Sequence, residues 1–209
     1  MPKTMGLMGR KVGMTRVFAE DGRAISVTLI EAGPCVVLQK KTEAKEGYGA
    51  VQLGFAPQKE SRLTSPVRGH LAAAGKGGFR FIREFRAKDP EAYEVGQDIR
   101  VEQVFRVGDL VDVRARSKGK GFQGVVKRHG FKGGRATHGS MFHRAPGSIG
   151  QSSFPSRVIK GKKLPGQMGD TLTMKKNLTV VDLRPEDNIL VVKGSVPGPP
   201  NALVQIYSK

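Results

Sequence analysis

Leu110-Val-Asp-Val-Arg-Ala-Arg-Ser-Lys-Gly-Lys-Gly-Phe-Gln-Gly124 changes character halfway along its length. Leu110 to Val113 reads as a strand; from Lys118 onward the chain turns to glycine and lysine. Between Val113 and Gly169, 57 residues pass without an Asp or Glu, while thirteen Lys or Arg, three of the four His and twelve Gly occur. Folded surfaces ordinarily mix charge signs, because a field of one sign repels itself and opposes compaction until something neutralises it. Nothing inside this segment can do so. The pattern therefore implies a basic arm, 113–169, that lies against an external polyanion.

The flanks are ordinary. Residues 1–112 hold 18 basic and 14 acidic side chains, and residues 170–209 hold 5 and 4, so most of the net charge of +18 belongs to the arm. Without the arm about 152 residues remain, enough for one domain that buries roughly 68 to 70 per cent of its unfolded surface. The single cysteine, Cys35, allows no internal disulfide, fits a reducing compartment, and in the run Pro34-Cys-Val-Val-Leu38 reads as a small buried hydrophobe. Met1 to Lys11 lacks a signal-like apolar stretch, and no run of 18 apolar residues exists. The expectation is a cytoplasmic protein with no membrane partner.

Strands dominate the flanks. Val12–Phe18 and Ala24–Ile30 bracket an Asp21-Gly22 turn signal, so a hairpin is expected. Val36–Lys40, Ala50–Phe55, Thr179–Leu183, Ile189–Lys193 and Leu203–Tyr207 add further strands. Because strands precede and follow the arm, 1–112 and 170–209 form one sheet or barrel into which the arm is inserted; a 40-residue C-terminal piece would hardly fold alone. A smaller α/β region is expected over about 57–100. There Ser65, as N-cap, and Pro66 open a short helix that stops at Gly75. Phe79, Phe81 and Phe85 alternate with Arg80, Arg83 and Arg86, which suits a strand with a buried aromatic face or a base-stacking platform. The fold class is mainly β with minor α.

Gly119-Lys-Gly121-Phe-Gln-Gly124 fits G-x-G-x-x-G, but the acid a dinucleotide site needs about 20 residues later is missing, and no Walker-type run occurs. The glycines instead let the backbone approach a nucleic-acid surface, with Lys118, Lys120, Lys127 and Arg128 offered to phosphates and Arg114, Lys132 and Arg135 beside them. Arg144, Arg157, Lys160, Lys162 and Lys163 are assigned the same task because of their density without acids. The spacing of His129, His138 and His143 matches no compact zinc pattern. Without a carboxylate to orient them, catalysis is not expected either. His129, His138 and His143 are read as stacking on bases or bonding to RNA, as are Phe122, Phe131, Phe142 and Phe154, which also suit anchoring of the arm's ends. No metal, cofactor, small-molecule substrate or catalytic residue is expected. A nucleoid or architectural DNA-binding protein would share the charge, but would usually show a groove-reading helix, a ribbon or dimer symmetry. An RNA-modifying enzyme would need the cofactor turn or catalytic acid that the arm lacks.

The run Phe105-x6-Asp112-x2-Ala115-x-Ser117-x-Gly119-Lys120-Gly121-x2-Gly124-x3-Arg128 resembles, position by position, the signature of the universal third protein family of the large ribosomal subunit. Gly9-Arg-Lys-Val-Gly-Met-Thr15 resembles its bacterial branch. Thr137-His-Gly139, Arg144-x-Pro-Gly-Ser-Ile-Gly-Gln151, Lys160-Gly-Lys-Lys163 and Gly166-Gln-Met-Gly169 also match, and the likeness thins over 57–100 and in the C-terminal tail. The resemblance implies a translation-protein-like β-barrel on the outside of the large subunit, with a looped arm threading through 23S ribosomal RNA. Its tip, near Pro146–Ser153, would approach the peptidyl transferase centre. It further implies early subunit assembly, neighbouring large-subunit ribosomal proteins, no catalysis, and amide methylation in some relatives of the glutamine matching Gln151. The arm itself, with few apolar residues to bury, is expected to order only on binding.

Overall fold

Val111, Val113 and Ala115 are buried while Asp112 and Arg114 between them are only half-buried. This period of two makes Leu110–Arg116 a strand with one face in a core. The computed structural model describes residues 5–209, so the first four residues of the N-terminal stretch lie outside the described residues. Its strands are β1 (Gly6–Phe18), β2 (Ala24–Ala32), β3 (Cys35–Lys41), β4 (Ala50–Gln58), β5 (Gly78–Arg86), β6 (Asp98–Ile99), β7 (Leu110–Arg116), β8 (Phe122–Gln123), β9 (Gly166–Gln167), β10 (Leu172–Arg184), β11 (Ile189–Lys193) and β12 (Leu203–Ser208). Four short helices join them: α1 (Glu43–Glu46), α2 (Ser65–Ala72), α3 (Val101–Val104) and α4 (Val125–His129).

Six strands close into an antiparallel barrel in the order β1-β12-β7-β10-β11-β2. Closure removes the exposed edges that an open sheet would leave. Leu7, Ile30, Val111, Val113, Val180, Leu190, Val192, Val204 and Ile206 fill its interior, while Met8, on the opposite face of β1, is buried in the core that continues into the neighbouring sheet. The chain forms two compact units: residues up to Arg116 with Leu172–Lys209 make the first, and Ser117–Thr171 the second. Val113 to Arg116, although free of acids, thus belong to a barrel strand. Arg116 pairs with Leu172 and Arg114 with Met174 across the β7–β10 ladder.

The hairpin around Asp21-Gly22 forms, but β1 starts six residues before the Val12 that opens its β-rich run. Glycines hide this half of the strand. A Cβ on Gly6 would strike the Ile206 carbonyl and come within 2.9 Å of the Phe85 ring, and one on Gly9 would lie 2.6 Å from the Glu31 carbonyl. Close packing of the barrel wall demands glycine where propensity argues against a strand.

A four-stranded sheet, ordered β5-β4-β3-β6, packs beside the barrel in the same unit. β3 divides its side chains: Cys35 and Val37 join the barrel-side core, while Val36 and Leu38 pack with Leu71, Ala74 and Phe79 beneath α2. Burial pushes the Cys35 thiol up to about 12, so it stays a neutral hydrophobe. Phe85 is fully buried and Phe79 nearly so, which makes β5 a strand that turns these two aromatics inward, while Phe81 between them is half-buried. The cap of α2 is Thr64 instead of Ser65, and Pro66 falls within its first turn.

Two polar devices hold this unit. Lys11, buried at a bulge in β1, donates to the carbonyls of Val196 at 2.8 Å and Gly198 at 3.0 Å, tying the β11–β12 connection to the barrel. Replacing Lys11 by Met strands two carbonyls and should cost about 2 to 3 kcal/mol. A thermal melt checks this; an unchanged midpoint would contradict it.

On the outer face of β3–β4–β5, Lys41 bonds to Glu84 at 2.8 Å, and the Tyr48 hydroxyl donates to the same carboxylate at 2.9 Å. Burial opposes ionisation of Glu84, but the bonds from Lys41 and Tyr48 outweigh it and hold the carboxyl below its usual range. Glu84 and then Tyr48 raise Lys41 in turn. A carboxyl depressed in the folded state contributes stability above its unfolded value, near 4.3, and loses it as pH falls through the folded value. Lys41, raised, contributes below its unfolded value of about 10.4 and stops as pH climbs through the folded one. Glu84→Gln should therefore cost no more than about 1 kcal/mol at neutral pH, the pair being partly solvated, with the difference vanishing in acid. Denaturant titrations at several pH values would show it; a difference that persists below pH ~3 would refute the pairing.

Candidate nucleic-acid interface

Ser117–Thr171 carries eleven Lys or Arg against a single acid, Asp170. It is stitched at its base by backbone. Ser117 N–H donates to the Thr171 carbonyl at 2.9 Å, Lys120 and Met168 exchange bonds with residues opposite them, and β8 pairs antiparallel with β9. The Gly119–Gly124 run therefore sits in an antiparallel ladder, whereas a dinucleotide turn joins a parallel strand to its helix. Gly169, at φ +71°, passes so close to the Lys118 carbonyl that a side chain there would collide with it. Gly124 is the N-cap of α4, and Gly130, at φ +73°, ends that helix in the left-handed conformation.

From α4 two side chains reach the returning strand. Arg128 Nη1 donates to the Leu164 carbonyl at 2.7 Å, and His129 Nε2 to the same oxygen at 3.1 Å. The Arg128 guanidinium lies against Gly166, where an added Cβ would be 2.6 Å from Nη1. Farther out, Gly134 N–H donates to the His143 carbonyl at 3.0 Å and His143 Nδ1 to the Arg135 carbonyl at 3.1 Å, closing a loop that displays Thr137, His138 and Met141. Arg128, His129 and His143 thus spend hydrogen bonds on the chain itself, a use that spacing could not reveal.

Lys118, Lys120, Lys127, Lys132, Arg135, Arg144, Arg157, Lys160, Lys162 and Lys163 are all exposed, as are His138 and Gln151; Arg128 is half-buried. Arg114 stands apart, on β7 of the barrel. Among the described residues of the unit, Val125 alone is buried. Val126, Phe131, Leu164 and Met168 are half-buried, but several large apolar side chains face outward: Met141 is 98 % exposed, Phe154 87 % and Phe122 76 %. Phe122 and Phe154 are among the aromatics assigned to RNA. Met141, Ile149, Val158 and Ile159 are exposed too and were missed, although an apolar residue in a glycine-rich run without periodicity has no core to enter. Among the described residues no three His, Cys, Asp or Glu gather to hold a metal, and no helix is long and apolar enough to cross a membrane.

A closed β-barrel from which a strongly basic, acid-poor unit is inserted defines the class. Residues 91–187 match the model of the family described as Ribosomal protein L3. The chain is 56 % identical over 209 residues, all of both chains, to the large ribosomal subunit protein uL3 of Desulfotalea psychrophila. It is 55 % identical to that of Syntrophotalea carbinolica, covering 97 % of each, and 56 % identical to that of Carboxydothermus hydrogenoformans, covering 95 % of this chain and 93 % of the other. The chain belongs to the uL3 family of large ribosomal subunit proteins.

With one buried side chain and no packed interior, most backbone amides of the second unit have little to shield them from water. In the free protein, amides over 130–163 should exchange at least about a hundredfold faster than those of β7 and β12. Strong protection throughout 130–163 without RNA would contradict this.

Proposed function

We propose that this chain binds 23S ribosomal RNA through Ser117–Thr171, supports early assembly of the large subunit, and carries Pro146–Ser153 toward the peptidyl transferase centre. Family membership makes it a structural, non-enzymatic constituent of the large ribosomal subunit in the cytoplasm. The finer reading rests on one observation: ten exposed cations, one acid and several exposed apolar side chains share a unit with almost no interior. Such a surface is complementary to folded RNA. Its cations meet phosphates, while Phe122, Phe154 and Met141 meet unstacked bases or ribose. Glycine lets the backbone lie close to that surface.

The first unit is the body that anchors this arm, and its partners include neighbouring large-subunit proteins. Gln151 lies in the proposed tip with its amide exposed, available both to RNA and to amide methylation.

Each neutralised phosphate releases counterions, so log affinity falls with log salt by about 0.7 to 0.9 per phosphate. Replacing Arg144, Arg157, Lys160, Lys162 and Lys163 by Gln should weaken binding to 23S RNA fragments and flatten the slope by roughly 0.7 to 0.9 for each phosphate left without its cation. Filter binding over a salt series measures both. An unchanged slope would remove these residues from the interface, and tighter binding to duplex DNA than to ribosomal RNA would point to an architectural DNA-binding protein.

A further inference from the structure

Between barrel and sheet, within the first unit, lies a cavity of about 350 Å³ lined by Arg10, Glu31, Phe55, Arg80, Phe81 and Asn201 among others. We propose that it receives one unstacked nucleobase of the RNA, a contact separate from the basic second unit.

Three features carry this. Part of the lining is apolar, with Phe55 and Phe81 side by side in the β4–β5 ladder and Pro34 and Pro57 also lining it. At the rim the Arg80 guanidinium lies over the Phe81 ring, 5.2 Å from its centroid, while Arg80 itself is exposed. An arginine beside an aromatic ring can offer its guanidinium for stacking on a base and its N–H groups to a phosphate. Across the mouth, Arg10 Nε and Nη2 grip Glu31 Oε2 at 3.0 and 2.6 Å, so Glu31 Oε1 and the Asn201 amide supply acceptor and donor groups suited to a base edge.

The backbone is shaped to this cavity. Ala56 adopts φ +58° and Asn201 φ +64° where they line it, and the β4–β5 register runs unshifted from Phe55 to Pro57, so no bulge accounts for the conformation of Ala56. Left-handed alanine is uncommon and concentrates where structure serves a site. The volume lies at the lower end for ligand pockets, which suits one base and excludes a helix. Two arginines against one carboxylate give the lining a net positive charge, which favours a nucleotide over the apolar side chain of a neighbouring protein.

The proposal rests on the RNA-binding reading above, and the test separates the two. Native large subunits are irradiated with short-wave ultraviolet light, and nucleotide adducts are mapped by mass spectrometry. Adducts are expected at Phe55 or Phe81 and also in the second unit, at Phe122 or Phe154. In subunits carrying Arg80→Ala, an exposed change that leaves the core intact, the yield at Phe55 and Phe81 should fall at least about tenfold while that of the second unit holds. Adducts confined to the second unit would overturn the cavity proposal and leave RNA binding standing; adducts nowhere in the chain would overturn both. Protection of Phe81 from hydroxyl radicals in the subunit, without a nucleotide adduct, would put a protein segment in the cavity and defeat the proposal.

Discussion

Everything in this chain hangs on the ladder between β7 and β10. It runs from Leu110 opposite Thr179 to Arg116 opposite Leu172, and it brings together the ends of a 55-residue insertion. Closing so long a loop costs only about 2 kcal/mol more than closing a five-residue hairpin, because loop entropy grows with the logarithm of length. The barrel easily absorbs that. Val111, Val113 and Ala115 enter a core shared with Val204 and Ile206, and the Asp112 carboxylate accepts the Asn177 N–H at 2.9 Å where β10 bulges. A self-repelling segment can thus be carried because its attachment points are fixed by a core that does not depend on it.

Division of labour between the units follows from what each can bury. The first has continuous apolar interiors on both faces of β3 and an ion-paired outer surface, so it is stable by the usual means. The second devotes Arg128, His129 and His143 to its own carbonyls and leaves its remaining basic side chains and many of its apolar ones facing outward. On the proposed RNA-binding reading, an RNA surface would supply the counter-charge and apolar cover that the unit lacks.

Much of this was legible in the sequence, and the failures have physical causes. Alternation around Val111 and the Asp21-Gly22 turn marked barrel strands correctly, since both are local signals. The first half of β1 was not legible because Gly6 and Gly9 answer to the approach of Ile206 and Glu31, which lie far away in the chain. β5 read ambiguously, since alternation of Phe and Arg states that two faces differ without stating which is covered. In the basic unit, composition marked the segment but not the roles within it. Nothing around Arg128 announces the Leu164 carbonyl 36 residues later. Nor did the acid-free run reveal that Arg114 rides on the barrel wall, because charge patterning ignores where a strand ends. The cavity beside Phe81 depends on five separate stretches meeting, which no linear pattern records.

The barrel's seam joins β1 to β12, with Gly6 opposite Tyr207 and Arg10 opposite Leu203. Synthesis delivers these two strands first and last among the six. A nascent chain therefore holds Leu7 and Met8 without their final cover until almost all of the polypeptide has emerged, and the cationic unit is exposed well before the body can close. On the proposed RNA-binding reading, a protein wired in this way would meet its polyanion during manufacture rather than after it.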